Sequence, residues 1–164
     1  VNFGILPLAL ALTVTTPTAS AKPSEYVEVH DLIYTKCQVE FGKSKAQEKA
    51  SYYAPMVIKA AHRYRLDSSL VAAVTWHESN YYPRCVSPAG ALGLMQVMPF
   101  HFRRGEVWSD PQTNLNVGCR ILGGYVHRAA GDVGWALMMY NAGPAGASRG
   151  WGRRYARAVM RSAR

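Results

Sequence analysis

The sequence predicts an all-α, α-dominant domain. Three observations carry that prediction. Apolar residues recur at spacings of three and four through most of the chain. Asp or Ser stands just before several of these runs, where a helix N-cap is needed. No run with the strict alternation of a half-buried sheet strand is long enough to matter. At 164 residues with 49% hydrophobic composition, the chain suits one compact core and needs no metal or disulfide to support it.

Taken in order, residues 1–21 carry no Asp, Glu, Lys, Arg or His. An apolar run from Gly4 to Val14 is followed by T-T-P-T-A-S-A, and Ala19 and Ala21 form an A-x-A-like end. This reads as a secretory signal peptide, too short to be a comfortable membrane span. Residues 22–45 form an N-terminal arm that is hard to place. Its Y-V-E-V-H alternates weakly, as a short strand or extended segment would. The folded domain is expected over 46–164.

A helix is expected from about Lys45 to Tyr64, with Met56, Val57, Ala60, Ala61 and Tyr64 on one face. Pro55 argues for a start as late as Tyr53, because proline is tolerated in a first turn but not in a helix interior. Asp67 or Ser68 caps the next helix, whose core face is Leu70, Val71, Val74 and Thr75 or Glu78. That register puts Glu78 in the last turns. Tyr81 to Gly93 reads as loop, and Leu94 to Met98 as a short helix or a strand stub ended by Pro99. Asp110 and Pro111 open a further helix carrying Leu115, Cys119, Leu122 and Val126. Gly131-Asp132 opens another, which stops at N-A-G-P. A last helix from about Trp151 to Ser162 turns Tyr155, Ala158 and Val159 to one side and arginines to the others.

The formal net charge is +9, and it is concentrated late. After Asp110 only Asp132 is acidic, whereas eight arginines follow, six of them between Arg149 and Arg164. Such a field favours a polyanionic partner. Export argues against nucleic acid and leaves anionic lipid or bacterial cell wall. Three cysteines are present, and after export two can pair. Cys85 with Cys119 is the expected bridge because both lie in the core-like region, with Cys37 left over. No C-x-x-C supports a zinc site, and the five histidines include no H-E-x-x-H, since Tyr81 takes the last place of that frame. No metal or cofactor is expected. Neither a G-x-S-x-G serine site nor a local Cys–His pair is evident.

Among the acids, Glu78 alone closes an apolar helix beside a Gly-rich loop. Asp110 and Asp132 are better explained as caps, and Glu106 lies in a polar stretch. A two-carboxylate glycosidase site is therefore not evident. Two readings of Glu78 stay open on the residues alone. One is an ordinary helix-end charge. The other is a single acid that gives and later takes a proton, with the substrate supplying the second group. The helix C-terminus disfavours negative charge and would raise its pKa.

Four blocks then occur in order: H-E-S-N-Y-Y-P, S-P-A-G-A-L-G-L-M-Q-V-M-P, N-L-N-V-G-C-R-I-L and A-L-M-M-Y-N-A-G-P. Over roughly Tyr52 to Met160 this resembles the lytic transglycosylase domain of the soluble lytic transglycosylase type, a lysozyme-like, mostly helical fold. The resemblance implies cleavage of the β-1,4 bond between N-acetylmuramic acid and N-acetylglucosamine in peptidoglycan, leaving 1,6-anhydromuramoyl ends. Glu78 matches the single catalytic glutamate. Ser79 matches the serine after it, Ser87 heads the S-x-x-G-A loop, and Met95 and Gln96 match sugar-contacting cleft residues. Tyr140 and Asn141 match the Y-N pair facing the site, with Tyr140 near the carboxylate. A Cys85–Cys119 bridge would pin the loop after Glu78. A hydrolytic muramidase and a wall-binding protein with a vestigial site are the competing readings. The implied partner is the glycan strand, with secretion, conjugation or phage machinery as settings and the periplasm as location (secreted or virion-associated as the alternative).

Overall fold

A computed structural model describes residues 23–164, so the expected leader at 1–21 lies outside the described residues. The order is α1 (Pro23–Phe41), α2 (Lys43–Arg63), α3 (Ser68–Ser79), a 3-10 turn at Pro99–His101, α4 (Pro111–Arg128), α5 (Val133–Ser148) and α6 (Arg153–Ser162). Among the described residues there is no strand, only two isolated bridges, Val86–Leu92 and Leu92–Val97. They settle Leu94–Met98 as a tight turn rather than a helix.

The arm at 22–45 is corrected: nearly all of it is α1. Two valines separated by two positions fall on opposite sides of a helix as well as on one face of a strand, so the alternation was ambiguous. Val27 is exposed (54%) and Val29 buried (1%), as a helix requires. Val29, Ile33 and Cys37, spaced by four, form the buried stripe that lies along α2 and crosses α3. The core thus begins well before residue 46.

The late start near Tyr53 is also corrected. α2 begins at Lys43, after Gly42 with φ 78°, and runs through Pro55. Pro55 is exposed, so the carbonyl of Ser51, which loses its partner, can turn to water. The caps fall where the sequence puts them. Asp67 accepts from the Leu70 N–H (2.7 Å), Asp110 from Thr113 (2.8 Å) and Asp132 from Trp135 (2.9 Å).

Packing closes a ring: α3 on α2, α2 on α4, α4 on α5, α5 on α6, and α6 back on α3. α3 is the most enclosed member, with Val71, Ala72, Ala73 and Val74 wholly buried. It ends at Asn80 in the left-handed region (φ 49°), and Tyr81 follows at φ 59°. Tyr81 opens the loop, as expected, yet its side chain is a core residue at 0% exposure whose hydroxyl donates to the Ala72 carbonyl (3.0 Å). Two left-handed residues in succession turn the chain back on itself directly after Glu78.

Candidate active site

Glu78 sits on the last turn of α3, half-buried. Burial strips water from its carboxyl and raises the pKa from 4.5 to about 7, against a smaller lowering by the hydrogen bond from Tyr155. The helix end adds no backbone donors to offset this, because free carbonyls, not N–H groups, face outward there. The acid is therefore substantially protonated at neutral pH.

Two tyrosines from two other helices flank it. The Tyr155 hydroxyl on α6 donates to Glu78 Oε1 at 2.5 Å. Tyr140 on α5 donates to the Met95 carbonyl at 2.8 Å. Both phenols are pushed well above the usual tyrosine range, first by burial and then by the Glu78 charge. They are neutral donors at neutral pH.

The loop opposite is built to hold its shape. The Ser79 hydroxyl, 6% exposed, donates to the Leu94 carbonyl (2.8 Å), with the Thr75 carbonyl at 3.2 Å as the alternative acceptor. This ties the end of α3 to the loop. Ser87 closes a turn by accepting from Ala91 N–H (3.0 Å). Asn114 of α4 is buried and takes three partners: it accepts from Met95 N–H (2.8 Å) and donates to the Leu92 and Trp108 carbonyls. Gly93 has φ 74°, and a Cβ there would lie 2.2 Å from Asn114 Nδ2, so the loop can pass Asn114 only as glycine.

Gln96, at φ 46°, donates from Nε2 to the Gly93 (2.9 Å) and Cys85 (3.2 Å) carbonyls. It also lines a 350 Å³ hollow with Tyr140, Asn141, Tyr125, Met139 and Phe100. A second hollow of 490 Å³ is walled by Asn141, Trp151, Arg153, Arg154 and Tyr155. The two share Asn141, and each is walled by one of the tyrosines beside Glu78. Neither wall contains an Asp or a Glu. Glu106 is engaged elsewhere: Arg120 pairs with it at 2.7 Å and, with the Arg103 N–H, holds its carboxyl down to about 2.

Gln96, Tyr140 and Asn141 thus line one hollow, Glu78 lies behind the second through its hydrogen bond with Tyr155, and Ser79 and Ser87 make loop-building hydrogen bonds. Met95 is a correction. Its side chain is wholly buried against Cys119 Sγ (4.0 Å) and over Gly118, so it backs the cleft and does not line it. The Cys85–Cys119 bridge is a second correction. All three thiols are free, and Cys119 points into the core against Met95 while Cys85 is half-exposed on the loop. Two members were missed by sequence reasoning. Tyr155 was placed on the inner face of the last helix, but nothing local joined it to Glu78. Asn114 carried a weak signal, as a polar residue immediately before Leu115, the first of the stripe Leu115–Cys119–Leu122.

The family model described as the transglycosylase SLT domain matches residues 55–160. The chain belongs to the transglycosylase SLT domain family. Among curated SLT relatives, membrane-bound lytic murein transglycosylase C of Haemophilus influenzae (strain PittEE) is 45% identical over 88 residues, covering 45% of this chain and 24% of that protein. The transglycosylase of Enterobacteria phage PRD1 is 41% identical over 86 residues, covering 51% and 32%. The chain therefore spans a third or less of the length of these relatives. Among solved structures, an inactive glutamate-to-glutamine variant of the lytic transglycosylase Slt from Pseudomonas aeruginosa superposes with TM-score 0.61 at 22% identity, over 85% of this chain and 29% of that one. The 70 kDa soluble lytic transglycosylase of Escherichia coli gives 0.57 at 21% identity, over 88% and 28%. These two likenesses establish the SLT lysozyme-like fold.

Proposed function

We propose that this chain is a peptidoglycan lytic transglycosylase that breaks the β-1,4 bond between N-acetylmuramic acid and N-acetylglucosamine without water. The observation that carries the reading is a single buried carboxyl, held by the Tyr155 hydroxyl with its pKa raised to about 7, beside two hollows whose walls carry no Asp or Glu. Both curated relatives described above are transglycosylases by name, and one acts on murein by name.

Glu78 gives its proton to the glycosidic oxygen as the bond from the muramic acid C1 breaks. The substrate's own N-acetyl group stabilises the charge developing at C1. The Glu78 carboxylate then removes the proton of the C6 hydroxyl, whose oxygen closes onto C1 to form the 1,6-anhydro ring. One acid works in both directions, and a pKa near the working pH suits both steps. Tyr155 orients the carboxyl. Gln96, Tyr140 and Asn141 hold sugar on the cleft walls. Ser79 and Ser87 act through the loop they fix, and Met95 acts through its carbonyl, which positions Tyr140.

The same proposal places the protein outside the cytoplasm, in the periplasm, with glycan strands as its partner. Wall turnover, secretion, conjugation or phage entry are its settings. The test is mass analysis of the fragments released from purified sacculi. The wild-type chain is expected to leave anhydromuramoyl ends and Glu78→Gln to release nothing. Reducing ends would overturn the reading in favour of a hydrolytic muramidase. Full cleavage by Glu78→Gln would remove Glu78 from the chemistry.

A further inference from the structure

The residue just before the acid takes no part in the proton transfers above, yet its side chain is fully engaged. His77 stands on the exposed side of α3, one position ahead of Glu78. Successive helix residues point about 100° apart, so a neighbouring helix lying in the angle between them can meet both. α6 occupies that angle. Its Tyr155 hydroxyl reaches Glu78 at 2.5 Å, while the His77 ring meets three of its residues. His77 Nε2 lies 2.9 Å from Ser162 Oγ, in hydrogen-bond reach. The imidazole also donates to the Ala158 carbonyl. Its plane stands edge-on to the Tyr155 ring, at 71° with 6.4 Å between centroids. Positions 155, 158 and 162 are three and four apart, the spacing of one ridge along a helix.

Little else sets the register of α6. Its N-cap is Gly152, which offers no side-chain cap, and Gly150 and Gly152, both at positive φ, join it to α5. Of its ten residues only Ala156 and Val159 are buried, whereas Arg153, Arg154, Arg157 and Arg161 are exposed. Two small apolar side chains hold a helix against its neighbour only weakly. The hydrogen bond that Tyr155 must make is, by contrast, sensitive to distance and angle.

We infer that His77 is a positioning residue: it clamps α6 onto α3 so that the Tyr155 hydroxyl stays on the Glu78 carboxyl. The inference rests on the single-acid reading above and deepens it, by naming what holds the acid's partner in place. The clamp is a neutral imidazole, because burial and then the Lys36 charge on α1 lower its pKa from 6.5, with Arg161 on α6 acting the same way. Replacing it therefore changes no charge beside Glu78 near pH 7, where the carboxyl titrates. Tyr140 on α5, the other titratable group near the acid, is left as it is.

The test follows the titration of Glu78 through its carboxyl carbon, by NMR of protein labelled at glutamate, with Glu78→Gln identifying the resonance. The bond from Tyr155 lowers the Glu78 pKa, so loosening it raises the midpoint. His77→Phe keeps a ring against Tyr155 and removes both hydrogen bonds. It is expected to raise the midpoint by roughly half a pH unit, less than Tyr155→Phe does. His77→Gln, whose amide can donate and accept near the Nε2 position, should restore it. In the Tyr155→Phe background His77→Phe should add nothing, because it acts through Tyr155. A midpoint that stays in place, that falls as the entry of water would make it fall, or that rises equally in both backgrounds would each overturn the clamp. Ser162→Ala removes one partner near the end of α6 with little risk to folding, and should raise the midpoint by a smaller step. No cleavage is needed for these measurements. A chain that releases no anhydro ends would defeat the transglycosylase reading, while the titration would still decide the role of His77.

Discussion

Replacing Glu78 by Gln changes stability in a way that isolates the desolvated acid. Glu and Gln are nearly isosteric, and a Gln Oε1 can accept the Tyr155 hydroxyl as Glu78 does. What the substitution removes is titration. In the folded protein the carboxyl titrates at about 7, against 4.5 as its ordinary value, so the fold favours the neutral form. Its contribution is fully present below about 4.5 and is lost as pH rises through about 7. Ionising it inside the fold at about pH 8 costs roughly 3 kcal/mol, and at about pH 4 next to nothing. Gln carries no such cost at any pH. At about 2–4 °C per kcal/mol for a chain of this size, Glu78→Gln is expected to melt roughly 6–12 °C above wild type at about pH 8 and within a degree or so of it at about pH 4. Calorimetric scans of both proteins across that interval give the answer directly. A melting gap that stays flat across the interval would refute the reasoning, because a carboxyl hydrated like any surface glutamate produces no such opening.

Tyr155→Phe removes the donor that lowers the Glu78 pKa, so the alkaline limb of the pH–rate profile on sacculi should move to higher pH; a limb that stays in place would detach Tyr155 from the acid. Gly93→Ala forces a Cβ into Asn114 at positive φ and should cost about 2–4 kcal/mol by urea titration, more than Gly90→Ala, where φ is also positive but nothing lies within 4 Å. Alkylation of the native protein should label Cys85 readily and leave Cys37 and Cys119 protected until denaturant is added; an 85–119 disulfide found by mass spectrometry would contradict the free thiols seen in the fold.

How far the sequence could be read depended on whether a signal was local. The caps Asp67, Asp110 and Asp132 are local devices, each acting over three residues, and each stands where expected. The stop at N-A-G-P is equally local: Gly143, at φ 69° and ψ 163°, breaks the helical path of α5. By contrast, α1 was missed because its three buried residues sit four apart among charged ones, and a five-residue window shows only the alternation of Val27 and Val29. Pro55 misled because its penalty depends on whether the freed carbonyl meets water, which is a tertiary fact. For the candidate site, Glu78, Gln96, Tyr140 and Asn141 were named from recognisable blocks. Tyr155 could not, since it meets Glu78 only because α6 folds back onto α3, across 77 residues of chain. The burial of Met95 likewise follows from the approach of Gly118, 23 residues later, which leaves a gap that only a long, flexible side chain fills.

The position of α6 has a consequence for when the acid is assembled. Glu78 lies near the middle of the sequence, but its tyrosine partner lies on the helix that closes the ring of packed helices. During synthesis from the N-terminus, α3 emerges well before α6, so the Tyr155–Glu78 hydrogen bond forms only once Arg153–Ser162 has been made and has docked. The acid's hydrogen-bonded environment is therefore completed late, by a helix made well after the one that carries it.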